Sequence, residues 1–254
     1  MARKIVTNHS FLKREANSNG QVVHNSILLG LPKRERAVVM SKLEFERLPA
    51  HSVLTEVGEA IKFVYFVNDG LASVLNVLLT GKSVEVGLCG FEGFVGLPLI
   101  AGFESSPSQI IMQVAGSGFK LAAKDFVAAL RSCPTLALSL SRFAQEMALQ
   151  SAQIAACNRL HPVDQRLARW LLMSQDRIGG SLVPLTQEFL SHMLATRRAS
   201  VTAAAGILQK AGLITYSRGL VKVENRSKLE SATCECYGAM KRQAKKWRAE
   251  SGSK

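Results

Sequence analysis

The sequence predicts an α+β chain in three parts: an N-terminal β-roll (jelly-roll-like), a long helix, and a C-terminal winged helix-turn-helix. Three observations carry this. In residues 25–133, turn residues recur at roughly ten-residue spacing between short Val-, Phe- and Leu-rich runs, as in an all-β roll. Residues 134–159 contain no glycine and no proline after Pro134, and their apolar residues recur in steps of four and three. Residues 160–230 hold short amphipathic helical patterns followed by a small hairpin pattern.

Taken in order, residues 1–24 are polar and aperiodic, and read as a flexible lead-in. The roll (25–133) includes Phe63–Val67, Leu71–Leu79, Val84–Leu88 and Ile110–Ala115 as strand patterns. Asn68-Asp69-Gly70 is a strong hairpin signal. In the long helix (134–159), Leu136, Leu140, Phe143, Met147, Gln150, Ile154 and Cys157 form a heptad seam. Leu140, Phe143, Met147, Gln150 and Ile154 are read as its dimerisation face, with Gln150 as a register-setting polar residue. The other reading of that face is an amphipathic helix lying on its own roll. A second helix is expected over about Val163–Asp176, ended by Ile178-Gly179-Gly180.

The next segment carries the most specific signal. Thr186 is a good N-cap, and Phe189, Leu190, Met193 and Leu194 share one face of a short helix. Ala195-Thr196-Arg197 makes a turn. Val201, Ala204, Ala205 and Leu208 then line the inner face of a second helix, whose alanines let two backbones cross closely. Leu213–Tyr216 and Leu220–Val223 read as strands joined at Ser217-Arg218-Gly219. Residues 231–254 form a basic tail.

Charge agrees with a polyanionic partner for the back half. The 254-residue chain has a net charge of +13. Residues 1–135 carry 14 Lys+Arg against 11 Asp+Glu, and residues 136–254 carry 18 against 8. Arg198 is expected to read a base edge, since a guanidinium matches guanine O6 and N7. Gln187, Arg197, Ser200 and Arg218 are expected to grip the phosphate backbone, and the Thr202 hydroxyl to meet phosphate or base. Two neighbouring arginines often do no more than solvate a helix end; the capped helix before them and the hairpin after favour DNA contact.

The five cysteines are odd in number and widely scattered, which argues against a disulfide framework and for a reducing, cytoplasmic setting. Cys234-Glu235-Cys236 lacks the second pair that a zinc site requires, and the five histidines show no metal spacing, so no metal is assigned. No run of eighteen apolar residues exists and no apolar segment follows Met1-Ala2-Arg3-Lys4, so no membrane span is expected. Thr80-Gly81-Lys82-Ser83 imitates the end of a phosphate-binding loop, but Asn76 stands where its first glycine belongs.

This order of parts resembles the Crp–Fnr family of bacterial transcription regulators over about residues 25–230. The sharpest marks are Arg159-Leu160-His161-Pro162-Val163-Asp164-Gln165-Arg166-Leu167-Ala168-Arg169-Trp170-Leu171-Leu172 and Leu185–Ile214. In the front half, Val57-Gly58-Glu59 and Tyr65–Gly70 look like a cyclic-nucleotide-binding roll. The resemblance implies a homodimer that binds an imperfect palindrome of double-stranded DNA, with RNA polymerase as a further partner and no enzymatic activity. Arg198 matches the family's guanine-reading arginine, but Ala199 and Ala203 stand where an acid and a second arginine are usual, so half-site preference should differ. Glu92, Gly93, Ser108 and Gln109 mark the candidate effector pocket. The arginine that would neutralise a cyclic phosphate is absent from Ser106–Ile110, which argues against cyclic AMP and leaves the effector unknown. Residues 1–88 hold no cysteine, so the family's N-terminal iron–sulfur sensor is excluded, and His51 or Cys89 as a haem ligand is the weaker reading beside a surface or core role. No cofactor is predicted. The alternative function is a sensor of cyclic nucleotide or another small molecule that signals through a protein partner. An enzyme on the roll has only the glycine-rich segment 87–102 behind it.

Overall fold

The computed structural model of the chain describes residues 15–16, 20–180, 182–185, 187–217 and 219–252. They pack as two units. The first holds the described residues up to Lys82 together with Leu88–Gln145; the second holds Ser83–Gly87 and the chain from Glu146 onward.

In the first unit, β1 (Glu15–Ala16) pairs antiparallel with β2 (Val22–Val23), inside the segment read as a lead-in. Asn25 then caps α1 (Ser26–Gly30), accepting from the Leu28 N–H at 3.1 Å. It is fully buried, and its amide donates to the carbonyls of Val67 and Gly93 at 2.8 and 2.7 Å. Next come α2 (Lys33–Met40), β3 (Glu44–Leu48), β4 (Val53–Thr55), β5 (Phe63–Val77), the end of β6 (Ser83–Cys89), whose first five residues belong to the second unit, β7 (Phe94–Val95), a 3-10 turn (Leu97–Ala101), β8 (Gln109–Ala122) and α3 (Ala123–Ser132). β8 lies between β3 and β5, β4 also pairs with β8, and β7 pairs with β5. Phe94 is the centre of the core, with ring centroids of Phe66, Phe126 and Phe143 at 5.8, 5.7 and 5.9 Å. Burying each such ring contributes about 2–3 kcal/mol. Glu35 of α2 accepts from the N–H groups of Thr135 and Leu136, capping the long helix α4 (Pro134–Leu160) from outside it.

Two expectations are corrected here. Asn68-Asp69-Gly70 does not turn a hairpin: β5 runs through it as an irregular stretch with register shifts between Val67 and Ala72. Gly70 has φ +86°, and a Cβ there would stand 2.6 Å from the Val114 carbonyl oxygen. The Asp69 carboxylate accepts from the Ser117 hydroxyl, and Asn68 bonds the backbone of His24 and Val22. These turn-type residues serve a bulge. The second correction concerns the dimerisation face. Leu140, Phe143, Met147, Gln150 and Ile154 are each 6% exposed or less within the single chain. Their periodicity marks the side of α4 that is buried within the single chain, the other reading of that face. The boundary between the units falls inside α4, after Gln145.

The second unit is built on α5 (Val163–Ile178), in which Leu167, Ala168, Trp170, Leu171 and Leu172 are fully buried or nearly so. The Trp170 indole donates to the buried Glu85 carboxylate at 2.8 Å. Gly179 ends α5 in the left-handed conformation. There follow β9 (Leu182–Pro184), α6 (Gln187–Met193), α7 (Arg198–Lys210), β10 (Ile214–Ser217), β11 (Leu220–Val223), α8 (Arg226–Ala232) and α9 (Glu235–Gly252). The wing is three-stranded, in order β10-β11-β9, the last strand having escaped the sequence reading. The basic tail is largely helical, as α9. Arg226 fastens α8 to α5 through Gln175 at 2.8 Å and Asp176 at 2.5 Å, while Tyr237 of α9 donates to Asp176 at 2.8 Å. No described helix is long and apolar enough to cross a membrane.

Candidate nucleic-acid interface

The corner of α6 and α7 is set by small and branched residues. Leu190 and Met193 of the first helix, Leu194 just after it, and Val201, Ala204, Ala205 and Leu208 of the second are buried, and α7 packs on both α6 and α5. The turn between them is tight. Ala195 N–H reaches the His192 carbonyl at 3.1 Å and Thr196 N–H the Ser191 carbonyl at 2.9 Å. Ala195 itself sits at φ +46°, a left-handed conformation that costs a residue with a Cβ about 1 kcal/mol.

Arg197 occupies the N-cap position of α7 in extended conformation, with no side chain closing the helix end. Its carbonyl accepts from Ser200 and Val201 at 2.9 and 3.2 Å. The first amides of α7 therefore face outward with the positive end of the helix dipole, an arrangement suited to a phosphate. Arg197 and Arg198 are both exposed there, Ser200 is half-buried beside them, and Thr202 is exposed. The Thr202 hydroxyl donates to the Arg198 carbonyl at 3.1 Å. Ala199 and Ala203 are exposed on the same helix, giving it a flat, partly apolar outer face between the basic end and Lys210.

The wing stands against this corner. The Tyr216 hydroxyl donates to the Leu185 carbonyl at 3.0 Å, and Leu185 N–H bonds the Gly219 carbonyl at 2.6 Å. Burial pushes the Tyr216 phenol up, and the nearby Arg198 charge opposes that shift. Arg198 thus lies within electrostatic reach of the wing. Arg218, Thr186 and the side chain of Gln187 lie outside the described residues.

Residues 165–232 match the Crp-like helix-turn-helix domain family. That stretch, from within α5 to the end of α8, is a Crp-like helix-turn-helix domain. No curated protein matches its sequence. The chain shares its fold with a Crp/Fnr-family regulator from Eubacterium rectale, at 14% identity and TM-score 0.63 over 82% of this chain and 98% of that one. FixK2 from Bradyrhizobium japonicum aligns at 14% identity and TM-score 0.65, over 76% of this chain and 98% of its own. The c-di-GMP-responsive regulator CLP of Xanthomonas campestris aligns at 13% identity and TM-score 0.63, over 76% and 100%.

In the front unit the four candidate effector residues are differently engaged. Gly93 is pressed under a ring: a Cβ there would fall on Cζ and Cε2 of Phe143. Glu92 accepts from the Gly90 N–H at 3.3 Å. Ser108 is tied to Ser106, whose hydroxyl donates to the Ser108 carbonyl at 2.7 Å. The Gln109 amide donates to both oxygens of Glu56 at 3.1 and 2.9 Å. His51 is exposed and Cys89 is buried.

Sequence reasoning missed one cluster. Cys157, His161, Cys234 and Cys236 converge in the second unit, the set among the described residues able to hold a metal ion. The C-x-C pair was visible, and so was Cys157 one helical turn before His161; what joins the two pairs is tertiary.

Proposed function

We propose that the protein is a DNA-binding transcription regulator of the Crp/Fnr type, acting in the cytoplasm as a homodimer whose two α7 helices enter successive major grooves about 34 Å apart on an imperfect palindrome. The observation that carries this is the uncapped, outward N-terminus of α7 with Arg197 and Arg198 exposed on it. Arg198 reads a base. Arg197, Ser200, Gln187 and Arg218 hold the backbone. Ala199 and Ala203, lacking hydrogen-bonding groups, fit thymine methyl groups better than the polar edges of guanine or cytosine.

Dimer contact is assigned to the outward stripe of α4 in place of the covered one. Leu138, Ser141, Gln145, Ala148, Ala152 and Ala155 recur in steps of three and four and are exposed. The small side chains of Ser141, Ala148, Ala152 and Ala155 let two helices approach closely. RNA polymerase is the further partner of the DNA-bound dimer.

Cyclic AMP is not the effector. No cation occupies Ser106–Ile110, and Gln109 is instead bonded to a carboxylate. A cyclic phosphate brought there gains no counter-charge and meets a like one, at a cost of several kcal/mol.

Selection of bound sites from random duplex DNA by the full-length protein tests the reading. An inverted repeat with half-sites one helical turn apart is expected, with affinity falling steeply as salt rises. A single half-site, or no enrichment, overturns it.

A further inference from the structure

Three sulfurs and one imidazole meet where three segments come together. Cys157 lies in the last turn of α4, His161 in the joint between α4 and α5, and Cys234 and Cys236 at the start of α9. All their donor atoms lie within 4.8 Å of one another. Cys157 Sγ is 3.5 Å from Cys234 Sγ, and Cys236 Sγ is 3.6 Å from His161 Nδ1. The three cysteines are buried and free. Tetrahedral zinc, at about 2.3 Å from sulfur and 2.0 Å from nitrogen, sets its donors roughly 3.5–3.8 Å apart, which this spacing approaches with little adjustment. An iron–sulfur core, with sulfides between its irons, needs a wider set of thiolates.

The surroundings match those of a metal ligand set. His161 Nε2 lies 3.1 Å from a Glu235 carboxylate oxygen. That contact places the ring proton on Nε2 and leaves the Nδ1 lone pair turned toward the sulfurs, the carboxylate–histidine arrangement that orients a metal-bound imidazole. Gln153 Nε2 donates to Cys236 Sγ at 3.1 Å, a contact that suits a thiolate. Two arginines nearby are buried: Arg166 is 6% and Arg169 1% exposed. Arg166 Nε and Nη2 and Arg169 Nε have no hydrogen-bond partner, and both guanidiniums act electrostatically on Cys157 or are acted on by it. Buried cations call for an anion. Zinc with three thiolates and a neutral imidazole carries one net negative charge. A groove of about 360 Å³, lined in part by Thr233, Cys234, Glu235 and Lys241, opens the cluster to solvent and gives an ion a way in.

We propose that Cys157, His161, Cys234 and Cys236 bind one zinc ion in a closed, four-ligand structural site that pins the start of α9 to the α4–α5 joint. The site stands independently of how the protein reads DNA.

Full-length protein, purified under reducing conditions and exposed to Zn2+, should retain about one zinc per chain by elemental analysis. Cys157→Ser and Cys234→Ser should each lose it, and Cys133→Ser should keep it. Should the ligand variants fail to fold, the unmodified chain decides. Stripped by a chelator and titrated with Co2+, it should develop thiolate-to-cobalt and tetrahedral visible bands that saturate at one equivalent and vanish on adding Zn2+. Glu235→Gln keeps all four ligands and should weaken zinc roughly 10–100-fold. A chain with reduced thiols that retains no zinc and gives no cobalt spectrum overturns the proposal. So does an iron–sulfur spectrum, or a Cys157–Cys234 disulfide in the freshly purified protein.

Discussion

The α6–α7 corner and the glycine-rich turn before β7 both bring chain segments unusually close, with opposite results. At the corner, Ala204 and Ala205 are buried, so closeness is spent inside and Arg197 and Arg198 are left outside on an open helix end. At the turn, the space that Gly93 vacates is filled by the Phe143 ring of α4. A shared fold therefore does not by itself fix what each region presents to a ligand. What a region binds depends on whether its close approach leaves a functional group exposed or fills the gap with the protein's own side chain.

The largest effect is expected on α4. Ala152→Glu puts a charge into the outward stripe, so the dimer should separate and operator affinity should drop roughly 100-fold or more through loss of bivalency. Light scattering and a binding titration on the same sample check this; an intact dimer removes the stripe from the account. Next, Gly93→Ala should destabilise the protein by about 1–3 kcal/mol in urea unfolding, because the added methyl collides with Phe143. Combining it with Phe143→Leu should recover part of the loss. A neutral Gly93→Ala would mean that the turn has room for a ligand after all.

The local parts of this molecule were the legible ones. Leu190, Met193, Leu194, Val201, Ala204, Ala205 and Leu208 announce their burial through spacing alone, since helix periodicity and the turn are set within a few residues. Asn68-Asp69-Gly70 misled because the residue that uses it, Ser117, is 48 positions away. The heptad of α4 truly marks a buried face, yet periodicity does not say who covers it. The thiol cluster was hidden for the same reason: Cys157 and Cys234 are 77 positions apart. β9 was too short to show a pattern of its own.

A smaller effect is expected in the turn of the corner. Ala195→Gly removes the left-handed strain but loosens the unfolded chain, for a net gain of about 0.5 kcal/mol and a modestly higher Tm. A fall in Tm would show that the methyl group packs usefully. The smallest expected effect is none: cyclic AMP at millimolar concentration should leave Tm unchanged, whereas a clear rise would reopen the front unit as its receptor.

The central claim is that Arg198 reads sequence from the end of α7. The most direct measurement compares Arg198→Ala with the unmodified protein on the selected operator and on random duplex at one salt concentration. The account predicts a loss of about 1–3 kcal/mol on the operator, little on random DNA, and relaxed preference at one base pair of each half-site. Equal losses on both duplexes, with the selected motif intact, would contradict it.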